Sequence, residues 1–417
     1  FQLQMVDISI DFDNVHGVFV PGFEVTGSIT FSVNEKPLKA RAVIISVDGT
    51  ARTNWTVSER HGSPEPHHNH CHQHDNHVGQ TSTHRTVNYS ATVKYAAGEA
   101  VVWSPTGGES SGHIPIGSHR FPFKFLLPPN CPPSFEGTSG YIRYFCKAKI
   151  DRPWKFDHTT RRVFTVVPTF DLNLIQNAAL PVAVQESKEL GMLFFKSGRI
   201  NYTVRLLKGG YVPGENIVLQ ADIVNDSSKT ISKVELKLVE CSRYVAFRDG
   251  YMCSGGMVPN PTRPEQQRLH RRTVAQFEEK IEIGKGKSSQ YSRMIPIPPV
   301  VPTFNICPII TVEYYVKIKI TAQGTINSTL TSQLPVLIGT VPIRHFNTTA
   351  MPVPQGPPIV GMPPLPASMQ PNGDVPPPSY EECVFGKGTI KDEEENKDFV
   401  PRYVYYPNIS PSAPPEE

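Results

Sequence analysis

No stretch of this chain approaches the roughly 18–20 consecutive apolar residues that a membrane-spanning helix needs. The longest candidate, residues 334–343, is broken by Pro335, Gly339 and Pro342. The sequence opens at Phe1 without a secretory leader pattern. Its seven cysteines (71, 131, 146, 241, 253, 307 and 383) are odd in number and scattered, with no Cys-x-x-Cys pair. That spacing argues against a disulfide framework and for a reducing compartment. Neither sign of charge prevails, with 41 basic and 38 acidic residues, so no overall electrostatic attraction to nucleic acid is expected. Nucleophile-elbow, HExxH and phosphate-loop patterns are missing too. Gly284-Lys285-Gly286-Lys287-Ser288 lacks phosphate-loop spacing and reads as a lysine-rich β-hairpin turn. These absences point away from an enzyme, and no cofactor is expected.

What is present is β-structure. With 417 residues the chain has room for two or three domains. Apolar and polar residues alternate at Val25–Phe31, Val43–Val47, Ile200–Leu206, Ile217–Ile223 and Val234–Leu238. A period of two in β-branched and aromatic residues marks strands with one face in a core and one in water. Frequent turn signals favour a sandwich of antiparallel sheets. The pattern also repeats. Val20-Pro21-Gly22 recurs 192 positions later as Val212-Pro213-Gly214, each a tight turn feeding a strand. Ile142–Ile150 recurs 170 positions later as Val312–Ile320, preceded by Pro133-Ser134-Phe135 and Pro302-Thr303-Phe304 respectively. The first copy therefore holds extra residues, and the histidine-rich stretch 61–84 is the obvious insertion.

From about Phe346 the alternation stops and proline rises sharply, which marks a disordered, extended tail. It holds Pro377-Pro378-Ser379-Tyr380. Proline fixes φ near −65°, so such a segment is extended in advance. WW domains read it in aromatic-lined grooves, with the tyrosine as anchor. In a tail this rich in proline the motif says little without the architecture ahead of it.

That architecture resembles a known family. The segments VPGFEVTGSITF, YVPGENIVLQADIVNDSSKTISKVELKLVE, PTFNICPIITVEYYVKIKI and LPVLIGTVPI, followed by PPPSYEE, are similar to arrestin-domain-containing proteins of the α-arrestin type over nearly the whole chain. The resemblance implies an all-β fold: two tandem arrestin-like antiparallel β-sandwiches, immunoglobulin-like in kind, over residues 1–168 and 169–345. A disordered proline-rich tail, 346–417, follows. It also implies an adaptor that recruits WW-domain HECT-type ubiquitin ligases to transmembrane receptor or transporter cargo. Its place would be the cytoplasm, peripherally at plasma membrane and endosomes. Pro377, Pro378 and Tyr380 would hold the ligase. The family pattern has a second such motif; here Val400-Pro401-Arg402-Tyr403 keeps one proline of two, so Pro401 and Tyr403 form a degenerate candidate. Pro411, Ser412, Ala413 and Pro414 are similar to the late-domain motif read by ESCRT-I.

Two rival readings use other features. One is a signalling scaffold that needs no ligase. The other is a metal- or redox-responsive binding protein. The stretch 61–84 carries eight histidines, and His68, His70, Cys71, His72 and His74 supply the right donors for Zn²⁺ or Cu²⁺. A specific site, however, needs ligands held by surrounding groups, and this low-complexity stretch has nothing apolar to anchor it. One member of the wider family binds thioredoxin through a cysteine; the matching region here, Gly286–Tyr291, carries Ser288 and Ser289 instead. Basic residues at Arg263–Arg272 and Arg161-Arg162 read as a solvated face that a membrane surface would also attract.

Overall fold

A computed structural model describes residues 6–60, 84–192, 195–248, 250, 252–254, 265–324, 328–344, 391–392, 395–399 and 401–406. Among these, the only helical pieces are two short 3-10 turns, Thr106–Gly108 and Leu172–Leu174. The alternation seen in the sequence becomes alternating burial. In the strand Asn216–Ser227, for example, Ile217, Leu219, Ala221 and Ile223 are buried while their neighbours are more open.

The first sandwich pairs a small sheet with a large one. The small sheet is Ile8–Phe12, Glu24–Val33 and Gly117–Leu126. The large one runs His84–Trp103, Ala42–Arg60, Gly140–Asp151 and His158–Val166, with Val18–Phe19 added in parallel at its edge. Phe12 of one sheet meets Phe164 of the other edge-on, 5.6 Å between ring centroids. The second sandwich has the same order. Its smaller sheet runs Phe195–Leu206, Asn216–Ser227 and Lys287–Pro296, extended by Val182–Met192. Its larger sheet runs Glu265–Ile283, Ile231–Arg248, Ile310–Ala322 and Thr329–Ile338, with Gly210–Tyr211 added in parallel.

The repeat extends to single hydrogen bonds. In the first turn Phe23 N donates to Val20 O at 3.2 Å and Gly22 N to Leu127 O at 3.0 Å. In the second, Glu215 N donates to Val212 O at 3.1 Å and Gly214 N to Ile297 O at 2.9 Å. Both glycines have positive φ, +84° and +99°, where a side chain is disfavoured. Tyr144 Oη donates to Pro132 O, and its repeat partner Tyr314 donates to Val301 O, each at 2.8 Å.

Two expectations change, and the contact between the copies is new. First, the extra residues of the first copy are divided. Residues 61–83 join Ala42–Arg60 to His84–Trp103 where 249–264 make the equivalent connection in the second copy. A further excess lies in 104–116, whose counterpart is only 284–286, and part of it forms Gly112–Ile114, paired with Leu38–Ala40. Second, Gly284–Lys287 is a tight turn, closed by Lys287 N donating to Gly284 O, but the strands it joins belong to different sheets and form no hairpin. The two sandwiches are not separate bodies. Phe247 and Arg248 pair with Ser90 and Tyr89, which merges the two large sheets into one. Phe135 and Phe304, the matching phenylalanines of the repeat, pack against each other at 6.0 Å across the junction. A single apolar core runs through both copies.

Candidate functional site

The proline-rich tail reads as disordered, yet a short part of it lies against the body. Residues 401–406 lie against the junction of the two sandwiches. The main chain of Arg402 donates to Thr165 Oγ1 at 3.1 Å. Tyr403 Oη donates to Ser134 O at 2.6 Å. Both acceptors belong to the first sandwich. Three residues on, Tyr406 bonds to the second: its N–H donates to Pro213 O at 3.1 Å and its Oη to Thr340 O at 2.7 Å.

Each acceptor is set by its own strand or turn. Ser134 is held by a reciprocal pair with Val166: its N–H donates to Val166 O at 2.8 Å and its Oγ accepts from Val166 N at 2.9 Å. That leaves its carbonyl to face the phenol. Pro213 is the middle of the second tight turn. A Cβ on Gly214 would sit 2.1 Å from Tyr406 O, so the tail backbone can lie there only because this position is glycine.

Burial is deep for so short a segment. Tyr403 is only 1% exposed and joins the apolar core shared by both sandwiches. Phe399 is also buried. Tyr406 packs on a smaller cluster of Leu172, Ala178 and Val212, which spans the linker and the second sandwich. An aromatic side chain so enclosed, with its hydroxyl paired, contributes on the order of 3–5 kcal/mol relative to alanine.

Buried charges surround the phenol. Arg143 Nη2 donates to Glu136 Oε2 at 3.0 Å. Glu240 takes an ion pair from Arg272 and accepts from Tyr314 Oη at 3.0 Å and Ser242 Oγ at 3.2 Å. Burial pushes the Tyr403 phenol well above its ordinary value, and the Glu240 and Glu136 carboxylates add to the rise while Arg272 opposes it. The site therefore selects a neutral, hydrogen-bonding tyrosine. A phosphate there would lose the bond donated to Ser134 O and would have to be buried among charges already paired, Glu136 with Arg143 and Glu240 with Arg272.

The predicted positions fall into two groups. Pro401 and Tyr403 are in the docked segment, so in this arrangement Tyr403 is not presented to an outside domain. Pro377, Pro378, Tyr380, Pro411, Ser412, Ala413 and Pro414 lie outside the described residues, as do His68, His70, Cys71, His72 and His74. Among the described residues no group of three or more His, Cys, Asp or Glu is placed to hold a metal ion. Burial raises the thiols of Cys131 and Cys146 to about 11 and about 12, and those of Cys241 and Cys307 also rise. Such thiols stay protonated and poorly nucleophilic at neutral pH. The basic residues are partly engaged: Arg161 stacks on Phe145, Arg162 reaches Ile10 O and Asp11, and Arg272 pairs with Glu240. No described helix is long and apolar enough to cross a membrane.

Sequence reasoning missed Ser134, Thr165, Pro213 and Thr340 as tail receptors. The repeated Pro-Ser-Phe and Val-Pro-Gly signals located two of them, yet nothing local says that a distant tail will bind there.

Comparisons with known proteins cover both sandwiches. The family model described as arrestin (or S-antigen), N-terminal domain, matches residues 8–173, and that of the C-terminal domain matches 196–343. Arrestin domain-containing protein 17 of Caenorhabditis elegans is 29% identical over 345 residues, 82% of this chain and 72% of that protein. Human arrestin domain-containing protein 4 is 27% identical over 338 residues, 81% of this chain and 71% of its own length. Rat arrestin domain-containing protein 1 is 29% identical over 264 residues, where the match spans 54% of the relative.

Proposed function

Because this chain belongs to the arrestin family, as an arrestin-domain-containing protein of the α-arrestin kind, we propose that it is an adaptor linking membrane cargo to a WW-domain HECT-type ubiquitin ligase. The observation that carries this reading is the joining of Pro377-Pro378-Ser379-Tyr380 to a pair of arrestin sandwiches in one chain. The sandwiches offer loops and sheet edges to a transmembrane receptor or transporter. The proline-rich segment offers an extended peptide with a tyrosine anchor to a WW domain. Catalysis stays with the ligase; this chain supplies effective concentration and geometry. Such an adaptor works in the cytoplasm, peripherally at the plasma membrane and endosomes, and Pro411–Pro414 extends its reach to ESCRT-I.

Binding of isolated ligase WW domains to the full chain tests the proposal. Tyr380→Ala should weaken that binding at least about thirtyfold, the scale of a hot-spot anchor, while Tyr403→Phe should leave it unchanged. Unaltered binding by Tyr380→Ala would instead favour a ligase-independent scaffold. The redox form of the alternative draws no support from the four protonated thiols. The metal form rests on residues 61–84, and deleting them should abolish Zn²⁺ uptake if it holds.

A further inference from the structure

We infer that the junction of the two sandwiches is a binding site for an extended Pro-x-Tyr-x-x-Tyr segment, and that its ligand is this chain's own tail, so the body rather than a WW domain reads Tyr403. Three independent features carry this. The segment's polar groups are met from both sides: Tyr403 Oη and Arg402 N by Ser134 O and Thr165 Oγ1, Tyr406 N and Oη by Pro213 O and Thr340 O. The two tyrosines fill two different apolar clusters, Tyr403 the core shared by both sandwiches and Tyr406 the smaller one at the linker and second sandwich. And Gly214 leaves open the space that the Tyr406 carbonyl occupies, 2.1 Å from where a Cβ would stand.

A segment held this way behaves as a ligand rather than a core strand. Residues 345–390 separate it from the end of the second sandwich, where Arg344 N donates to Asn173 Oδ1 at 2.8 Å. The intervening chain is thus tied at both ends. Closing so long a loop adds little entropy penalty per added residue. Tethering raises the local concentration of the tail to roughly millimolar, so a segment of only about 10 µM intrinsic affinity would remain docked about 99% of the time. It would still exchange, and a competitor in solution could replace it.

Two consequences follow for the adaptor reading, on which they rest. Tyr380 is not part of the docked segment, so a WW domain that binds it does not compete for the junction. A domain that reaches for Tyr403 must first empty the junction, so the two tyrosine motifs are not equivalent. Phosphorylation of Tyr403 while it is out would bar its return, because the phosphate would have to be buried where the phenol is 1% exposed and would face the Ser134 carbonyl without a hydroxyl to donate.

The test uses the full chain with a specific protease site inserted between residues 346 and 376. After cleavage the tail fragment should co-elute with the body on gel filtration at tens-of-micromolar protein concentration. Tyr403→Ala should release the fragment, with affinity down at least about a hundredfold. Tyr403→Phe, which loses only one hydrogen bond, should speed its departure roughly three- to tenfold. An excess of a peptide spanning residues 395–408 should displace the wild-type fragment, and the same peptide phosphorylated at Tyr403 should not. A wild-type fragment that separates freely would overturn the inference. So would a peptide that fails to compete, a measurement that stands even if Tyr403→Ala does not fold. Adding a WW domain to the cleaved complex separates the two readings: absence of WW binding with the fragment retained would sink the ligase proposal alone.

Discussion

Three buried tyrosines fasten neighbouring segments of this fold through their hydroxyls. Tyr144 and Tyr314 each fasten a strand to the proline-rich approach before it, and Tyr403 fastens the tail. All three hydroxyls meet main-chain carbonyls, and Tyr314 Oη shares its proton with the buried Glu240 carboxylate as well, so each buried phenol has a partner. Burial raises other phenols as well: those of Tyr202, Tyr244 and Tyr291 are each pushed up to about 12. In the unfolded chain they ionise near 10. Between pH 10 and 12 the unfolded state therefore releases protons that the folded state keeps, so stability falls as pH rises. That contribution is fully present below pH 10 and is gone once pH exceeds 12. Thermal melts should hold steady from neutral pH to about 10 and then drop, with the tyrosinate absorbance of these buried phenols appearing only as the fold is lost. Tyrosinate signal near pH 10 from more than the exposed tyrosines, without unfolding, would contradict these burial assignments.

Turns and strands follow the same logic one level up. The two Val-Pro-Gly turns have the same hydrogen bonds and the same sign of φ, yet they serve different neighbours. Around Gly22 an added Cβ meets only Pro129 Cβ, at 3.9 Å, whereas at Gly214 it would strike Tyr406 O. Alanine at either site incurs the left-handed penalty of about 1–2 kcal/mol. Only Gly214→Ala should also expel the tail. The expected result is a larger loss of melting temperature in Gly214→Ala than in Gly22→Ala, with faster hydrogen exchange over 401–406 in Gly214→Ala alone. Equal protection of those amides in both would show that the turn does not seat the tail. At this scale the sequence was informative where a signal is local. Alternation placed Val25–Phe31 and Ile217–Ile223 correctly, because side-chain period is a property of the strand itself. The turn at Gly284–Lys287 was also legible, but which sheet receives the next strand was not, since that depends on partners far away in the chain.

The whole molecule is a pair of sandwiches that share a sheet. Pairing of Phe247 and Arg248 with Tyr89 and Ser90, the buried bond from Thr53 Oγ1 to Val245 O at 2.6 Å, and the Phe135–Phe304 contact tie the copies into one core. Domains joined by a small polar interface unfold independently; those sharing an apolar core do not. Calorimetry should therefore show a single cooperative transition for the two sandwiches. Two resolved transitions of similar size would mean that the junction adds little. The docked tail adds to this coupling, since it bonds to Ser134 and Thr165 on one side and Pro213 and Thr340 on the other.

From the residues alone came the all-β class, the duplication, its landmarks and the proline-rich tail with Tyr380 in it. Each of these is written in short-range pattern: a period of two, a turn dipeptide, a run of prolines. The family entered as a resemblance of whole segments and is shown by the arrestin models matched over 8–173 and 196–343. Only the tertiary structure decided that the two copies fuse through one sheet, that the excess of the first copy is split between two connections, and that Tyr403 turns inward. The sequence around Tyr403 describes an extended, tyrosine-bearing peptide and nothing more. Whether such a peptide meets a WW domain or Ser134 depends on a groove assembled from segments 66 to 269 residues away, and on a glycine that leaves room for it.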